Sequence, residues 1–115
     1  MKVKSKFYDD VCVITVSGKM MGGPESAKLR EEIKSLIDNK TIKFIIDMKN
    51  VKWLNSLGVG VLISSYTSVH NAGGDIRLAC LTEKAQSLLF ITKLIQVFKT
   101  YDNIDEALKS YKSGS

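Results

Sequence analysis

Histidine, proline and tryptophan each occur once in these 115 residues, and cysteine twice. So few soft ligands argue against a metal centre: no Cys-x-x-Cys occurs, Cys12 and Cys80 are far apart, and His70 is alone. Cys12 lies within Val11-Cys12-Val13-Ile14 and Cys80 within Leu78-Ala79-Cys80-Leu81, settings that suit buried free thiols rather than a disulfide. No stretch approaches the roughly 20 apolar residues that cross a bilayer, so membrane insertion is not expected. The N-terminal Met1-Lys2-Val3-Lys4-Ser5-Lys6 contains no apolar leader segment, which makes the cytoplasm the expected location. There is no internal repeat and no linker-like stretch.

What remains is an ordinary globular composition, 44% hydrophobic and 25% charged, enough for one core and one domain. The net charge is +5. The lysines are spread along the chain, and no window joins a basic cluster to interleaved aromatics, so direct nucleic-acid binding is not expected. An acidic protein partner suits the charge.

Val3 to Tyr8 and Val11 to Ser17 read as strands joined at Asp9-Asp10. In the second, Cys12, Ile14 and Val16 share one face and Val11, Val13 and Thr15 the other. Gly18 is expected to end it, and Lys19 to Pro24 to form a loop. A helix from about Glu25 to Asp38 follows, with Pro24 near its first turn and Leu29, Ile33, Leu36 and Ile37 on one side. Ile42 to Met48 is nearly continuously apolar, the pattern of a central strand covered on both faces. A second helix runs from Ser56 to Asn71, capped by Asn55, whose side-chain oxygen can accept from N–H groups one turn ahead. Gly73-Gly74 releases the chain into a strand, Asp75 to Leu81. Thr82 caps a short helix with apolar positions Ala85, Leu88, Leu89 and Ile91. Val97 to Tyr101 forms a last strand, and a helix spans Ile104 to Tyr111. This order predicts an α/β fold with a mixed, mostly parallel sheet of four to five strands and about four helices. Residues 1–111 form one domain and 112–115 a flexible tail.

The segment Asp47 to Tyr66, DMKNVKWLNSLGVGVLISSY, resembles the signature of STAS domains, the fold of bacterial anti-sigma factor antagonists. There a buried strand ends in an aspartate, a short connection follows, and then Asp-Ser-x-Gly with a second glycine two positions on. The matching positions are Asn55, Ser56, Leu57, Gly58 and Gly60. The element order extends the resemblance over essentially the whole chain. Two positions depart from it: Asn55 replaces the usual aspartate, and Met21 stands approximately where many members carry a second acid.

The resemblance implies that Ser56 is a phosphorylation site and that Asn55, Ser56, Leu57, Gly58, Gly60, Met21 and Gly22 meet a partner. That partner would be an anti-sigma factor with serine kinase activity, with a phosphatase acting on the modified form. It implies no cofactor and no catalytic or metal-binding residue, and a monomer is the default. A STAS subunit of a lipid- or anion-transport complex is the alternative. On the residues alone, Ser56 also reads as a helix-start hydroxyl. Gly58 and Gly60 fit either close packing of the helix or close approach of a partner. Met20 and Met21 suit either an exposed contact or the core; Trp53 and Leu54 are expected to pack beneath the helix start, and His70 to lie on the surface. An enzyme is not indicated, because His70 lies about four helical turns, roughly 20 Å, from Ser56, and Gly22-Gly23-Pro24 lacks the spacing of a phosphate-cradling loop.

Overall fold

The computed structural model describes residues 1–112. The elements run β1 (Lys2–Tyr8), β2 (Val11–Met20), α1 (Gly23–Asp38), β3 (Lys43–Leu54), α2 (Ser56–Asn71), β4 (Asp75–Ala79), α3 (Glu83–Ile91), a 3₁₀ turn (Leu94–Gln96), β5 (Lys99–Tyr101) and α4 (Ile104–Lys112). One five-stranded sheet follows chain order, β1-β2-β3-β4-β5. β1 and β2 pair antiparallel, and the other three pairings are parallel, as crossover helices require. Of the expected tail, Lys112 is the last residue of α4 and 113–115 lie outside the described residues.

The alternation in β2 divides the core as its sequence implies. Cys12, Ile14 and Val16 face a large core with Leu29 and Ile33 of α1, Phe44, Ile46 and Met48 of β3, and Val59 and Leu62 of α2. Val11 and Val13 face a smaller cluster with Ile45, Ala79, Ala107 and Tyr111 beneath α4. β3 is the middle strand, and Phe44 to Met48 are buried on both faces.

Several expected boundaries move. Gly18 does not end β2: its positive φ of 97° lets the strand shift register against β3 and continue to Met20. The expected loop shrinks to Met21 and Gly22, and α1 starts at Gly23 rather than Glu25. The polar run Lys49 to Leu54 is not a connection, because it pairs with Ser17 to Met20 and extends β3. β4 stops at Ala79 rather than Leu81, since Cys80 turns the chain with φ 60°. Only Lys99–Tyr101 of the last expected strand pairs, against Arg77 to Ala79. Of the apolar positions of α3, Ala85 and Leu89 are buried, whereas Ile91 at the helix end is 75% exposed. Cys12 is a buried free thiol, whereas Cys80 is half-buried.

Candidate functional site

The carboxyl ends of β2 and β3 bring together most of the residues singled out around Ser56. Asn55 is extended (φ −132°) and its Oδ1 accepts from the Gly58 N–H at 2.9 Å, while its carbonyl accepts from Val59 N at 3.0 Å. α2 therefore begins on a cap that owes nothing to the Ser56 side chain. Ser56 is exposed at the first helical position, and among the described residues its hydroxyl bonds to no other group. No acid stands in the first turn of α2.

The two glycines have different surroundings. A Cβ on Gly58 would overlap the Met20 carbonyl at the end of β2, so close packing requires this glycine. Gly60 is exposed, and a Cβ there would meet nothing within 4 Å. Gly22 combines a positive φ of 88° with contact to α2: its Cβ would lie 2.6 Å from that of Leu57. Its N–H donates to Ser26 Oγ at 3.0 Å, tying the turn to the start of α1.

Leu57 therefore lies against the Gly22 backbone and is nonetheless 68% exposed. With Gly22, Gly60, Pro24, Arg30 and Val61 it lines a shallow groove of about 410 Å³ between α1 and α2. Met21 is exposed beside Gly22, whereas Met20 is wholly buried and belongs to the core. Of the expected contact residues, Gly22, Leu57 and Gly60 share the groove; Asn55 and Gly58 shape the turn beneath it.

Trp53 does not pack beneath the helix start. It is 52% exposed, with Lys84 Nζ 5.0 Å above its ring, while Leu54 does pack against the core. Arg30 was not singled out: it stands among charged residues on α1, and only its distance to Ser64 Oγ, 3.4 Å, reveals that it bridges to α2.

The buried aspartate of the signature, Asp47, is satisfied locally. Its Oδ1 accepts from Lys49 N at 3.2 Å, and its Oδ2 lies 3.5 Å from the Thr15 hydroxyl and 3.9 Å from Lys49 Nζ. Burial pushes the Cys12 and Cys80 thiols up from their ordinary value, so neither is an activated thiolate. His70 is exposed and stacks on Tyr66, 5.4 Å between ring centroids, at the far end of α2. Among the described residues, no group of three His, Cys, Asp or Glu is placed to hold a metal ion, and no helix is long and apolar enough to cross a membrane.

A five-stranded mixed sheet that presents a capped helix start beside a shallow groove defines a small α/β domain with one exposed helix-start surface. The chain belongs to the STAS domain family, whose model matches residues 2–107. It is 27% identical over 108 residues to a Thermotoga maritima protein assigned as an anti-sigma factor antagonist, spanning 93% of this chain and 95% of that one. A Thermotoga neapolitana homologue is 33% identical over 67 residues, 58% of this chain and 59% of the relative. Among solved structures, an anti-sigma factor antagonist assigned in T. maritima superposes with TM-score 0.83 at 24% identity, covering 94% of this chain and 92% of that one. The phosphorylated form of the Bacillus cell fate determinant SpoIIAA superposes with TM-score 0.76 at 14% identity, covering 96% and 99%.

Proposed function

We propose that this chain is an anti-sigma factor antagonist of the cytoplasm that works by partner switching. Unmodified, it binds an anti-sigma factor with serine kinase activity through Leu57, Gly60, Gly22 and Met21. Phosphorylation of Ser56 by that partner releases it, and a phosphatase restores the binding form. The observation that carries the reading is the position of Ser56: exposed on the first turn of a helix that Asn55 caps and Gly58 seats, next to an apolar groove.

The physical chemistry supports a switch at that place. First-turn N–H groups have no intrahelical partners, and the helix dipole favours negative charge there, so the fold accommodates a phosphate. The partner does not. Burying a near-dianion at an interface without a paired cation costs several kcal/mol, about a thousandfold in affinity.

The test is to isolate the tagged chain from its host with its bound partners, add ATP, and map phosphate by mass spectrometry. The reading expects a serine-kinase anti-sigma factor in the eluate, phosphate on Ser56, and release of the partner. Ser56→Asp should fail to retain that factor, and Ser56→Ala should retain it with or without ATP. Tight binding that Ser56→Asp leaves unchanged would overturn the switch.

A further inference from the structure

The outer strand β1 pairs with β2 on one side, and among the described residues no strand lies on the other. Its sequence, KVKSKFY, carries lysine at every second position and no acid. The register sets Lys2, Lys4 and Lys6 opposite Ser17, Thr15 and Val13. Residues directly opposite in an antiparallel pair share a face, so the three lysines rise on the side where Val13 packs. α4 stands on that side over β3, β4 and β5, and Leu108 and Lys112 reach only the Tyr8 end of β1, while Lys2, Lys4 and Lys6 are exposed. Val3, Ser5 and Phe7 point to the other face, opposite Val16, Ile14 and Cys12. There Val3 packs on the core, Ser5 Oγ donates to Glu32 at 3.1 Å, and Phe7 stays 51% exposed.

We infer that β1 is a docking edge for an extended protein segment that alternates acidic and apolar residues. Such a segment adds to the sheet through main-chain hydrogen bonds, which an unpaired edge offers along its length. Its alternate side chains repeat at about 6.7 Å, the spacing of Lys2, Lys4 and Lys6 along β1. One register thus sets carboxylates across from the three lysines and apolar groups beside Phe7 and Val3. This inference does not depend on Ser56 being a switch.

Other occupants fit less well. A second copy pairing through β1 would bring lysine rows together, which like-charge repulsion opposes. Single-stranded nucleic acid needs stacking platforms, but the aromatic on the lysine side of this strand is Tyr8, whose ring has Lys6 Nζ 5.3 Å above it. An anionic bilayer would need apolar anchors on the same side as the lysines, whereas Phe7 points to the opposite side.

The test is an amide NMR titration of the full chain with a synthetic peptide alternating Glu and Val. Parallel arms use a peptide of the same composition with Glu and Val in separate blocks, an alternating Lys-Val peptide, oligothymidylate, and vesicles containing phosphatidylserine. The inference expects shifts and slowed amide exchange concentrated in Lys2–Tyr8, with the alternating acidic peptide bound most tightly and more weakly as salt rises. The triple variant K2E/K4E/K6E, changed only at exposed positions, should lose that peptide by roughly tenfold or more and gain the Lys-Val peptide. Equal binding of the block peptide, oligothymidylate or vesicles would reduce the edge to a diffuse positive patch and overturn the inference. So would an absence of binding, or shifts centred elsewhere.

Discussion

Gly58 lies directly against the Met20 carbonyl oxygen, so the first turn of α2 is seated on the end of β2 with no room for a side chain. This contact sets the height at which Ser56 and Leu57 stand above the sheet. Gly58→Ala should therefore destabilise the fold by about 1–3 kcal/mol, the usual cost of overpacking, read as a lower midpoint in urea. Gly60→Ala is expected to do the opposite. With open space around it and a helical backbone, the added methyl should raise stability by up to about 1 kcal/mol. If the groove is the docking surface, the same substitution should weaken partner binding while the protein becomes more stable.

The Asn55 cap gives a second test. Asn55→Ala leaves the Gly58 N–H without its side-chain acceptor and should cost about 1 kcal/mol in thermal or urea unfolding. Asn55→Asp keeps an acceptor at the same atom and adds a negative charge at a helix start that has no acid in its first turn. It should match or exceed the parent in stability, the excess shrinking as salt rises. An Asp variant as unstable as the Ala variant would show that the cap does not seat the helix.

These residues also mark how far the sequence could be read. α2 was legible to its bounds because an N-cap stands at one end and Gly73-Gly74 at the other, both local signals. The face assignments in β2 were equally legible from alternation. The extension of β3 through Lys49 to Leu54 was not, because its polar composition resembles a loop and its pairing partner is some thirty residues away. The exposure of Trp53 belongs to the same extension: where β3 outruns β4 it pairs with β2 alone, at Lys19, and the Trp53 ring is left half exposed. The roles of Gly58 and Gly60 stayed open in sequence because the difference between them is the tertiary position of one carbonyl, that of Met20.

Stability and partner affinity should separate at Ser56. A negative charge at the first position of α2 interacts favourably with the helix dipole, so Ser56→Asp should hold or raise the unfolding free energy by about 0.3–1 kcal/mol at low salt. Under the proposed function the same variant loses its partner. Measured together, the two readouts distinguish a modified interface from a damaged fold. A Ser56→Asp protein that melts well below the parent would show that the fold does not accommodate charge at this site.

At the other end of the sheet, Tyr111 anchors α4. Its hydroxyl oxygen lies 2.8 Å from both the Phe44 and the Asp75 carbonyl oxygens, which share its single proton, and accepts from Phe44 N at 3.2 Å, while the Arg77 guanidinium lies 3.9 Å above its ring. Removing the hydroxyl leaves buried backbone groups short of a partner, so Tyr111→Phe should cost about 1–3 kcal/mol. Burial, aided by the nearby Asp75 carboxylate, raises the Tyr111 hydroxyl well above its ordinary value of 10.0. The unfolded chain therefore releases this proton first as pH rises. Its contribution is complete below about pH 10 and is lost progressively above that, as the unfolded form ionises. The buried Cys12 thiol, raised from 9.0 by burial, adds a decline that begins about one unit lower. Urea unfolding followed from pH 8 to 11 should show stability falling with pH, and Tyr111→Phe should fall less steeply above pH 10 from its lower starting point. Parallel curves for the two proteins would remove Tyr111 as the cause.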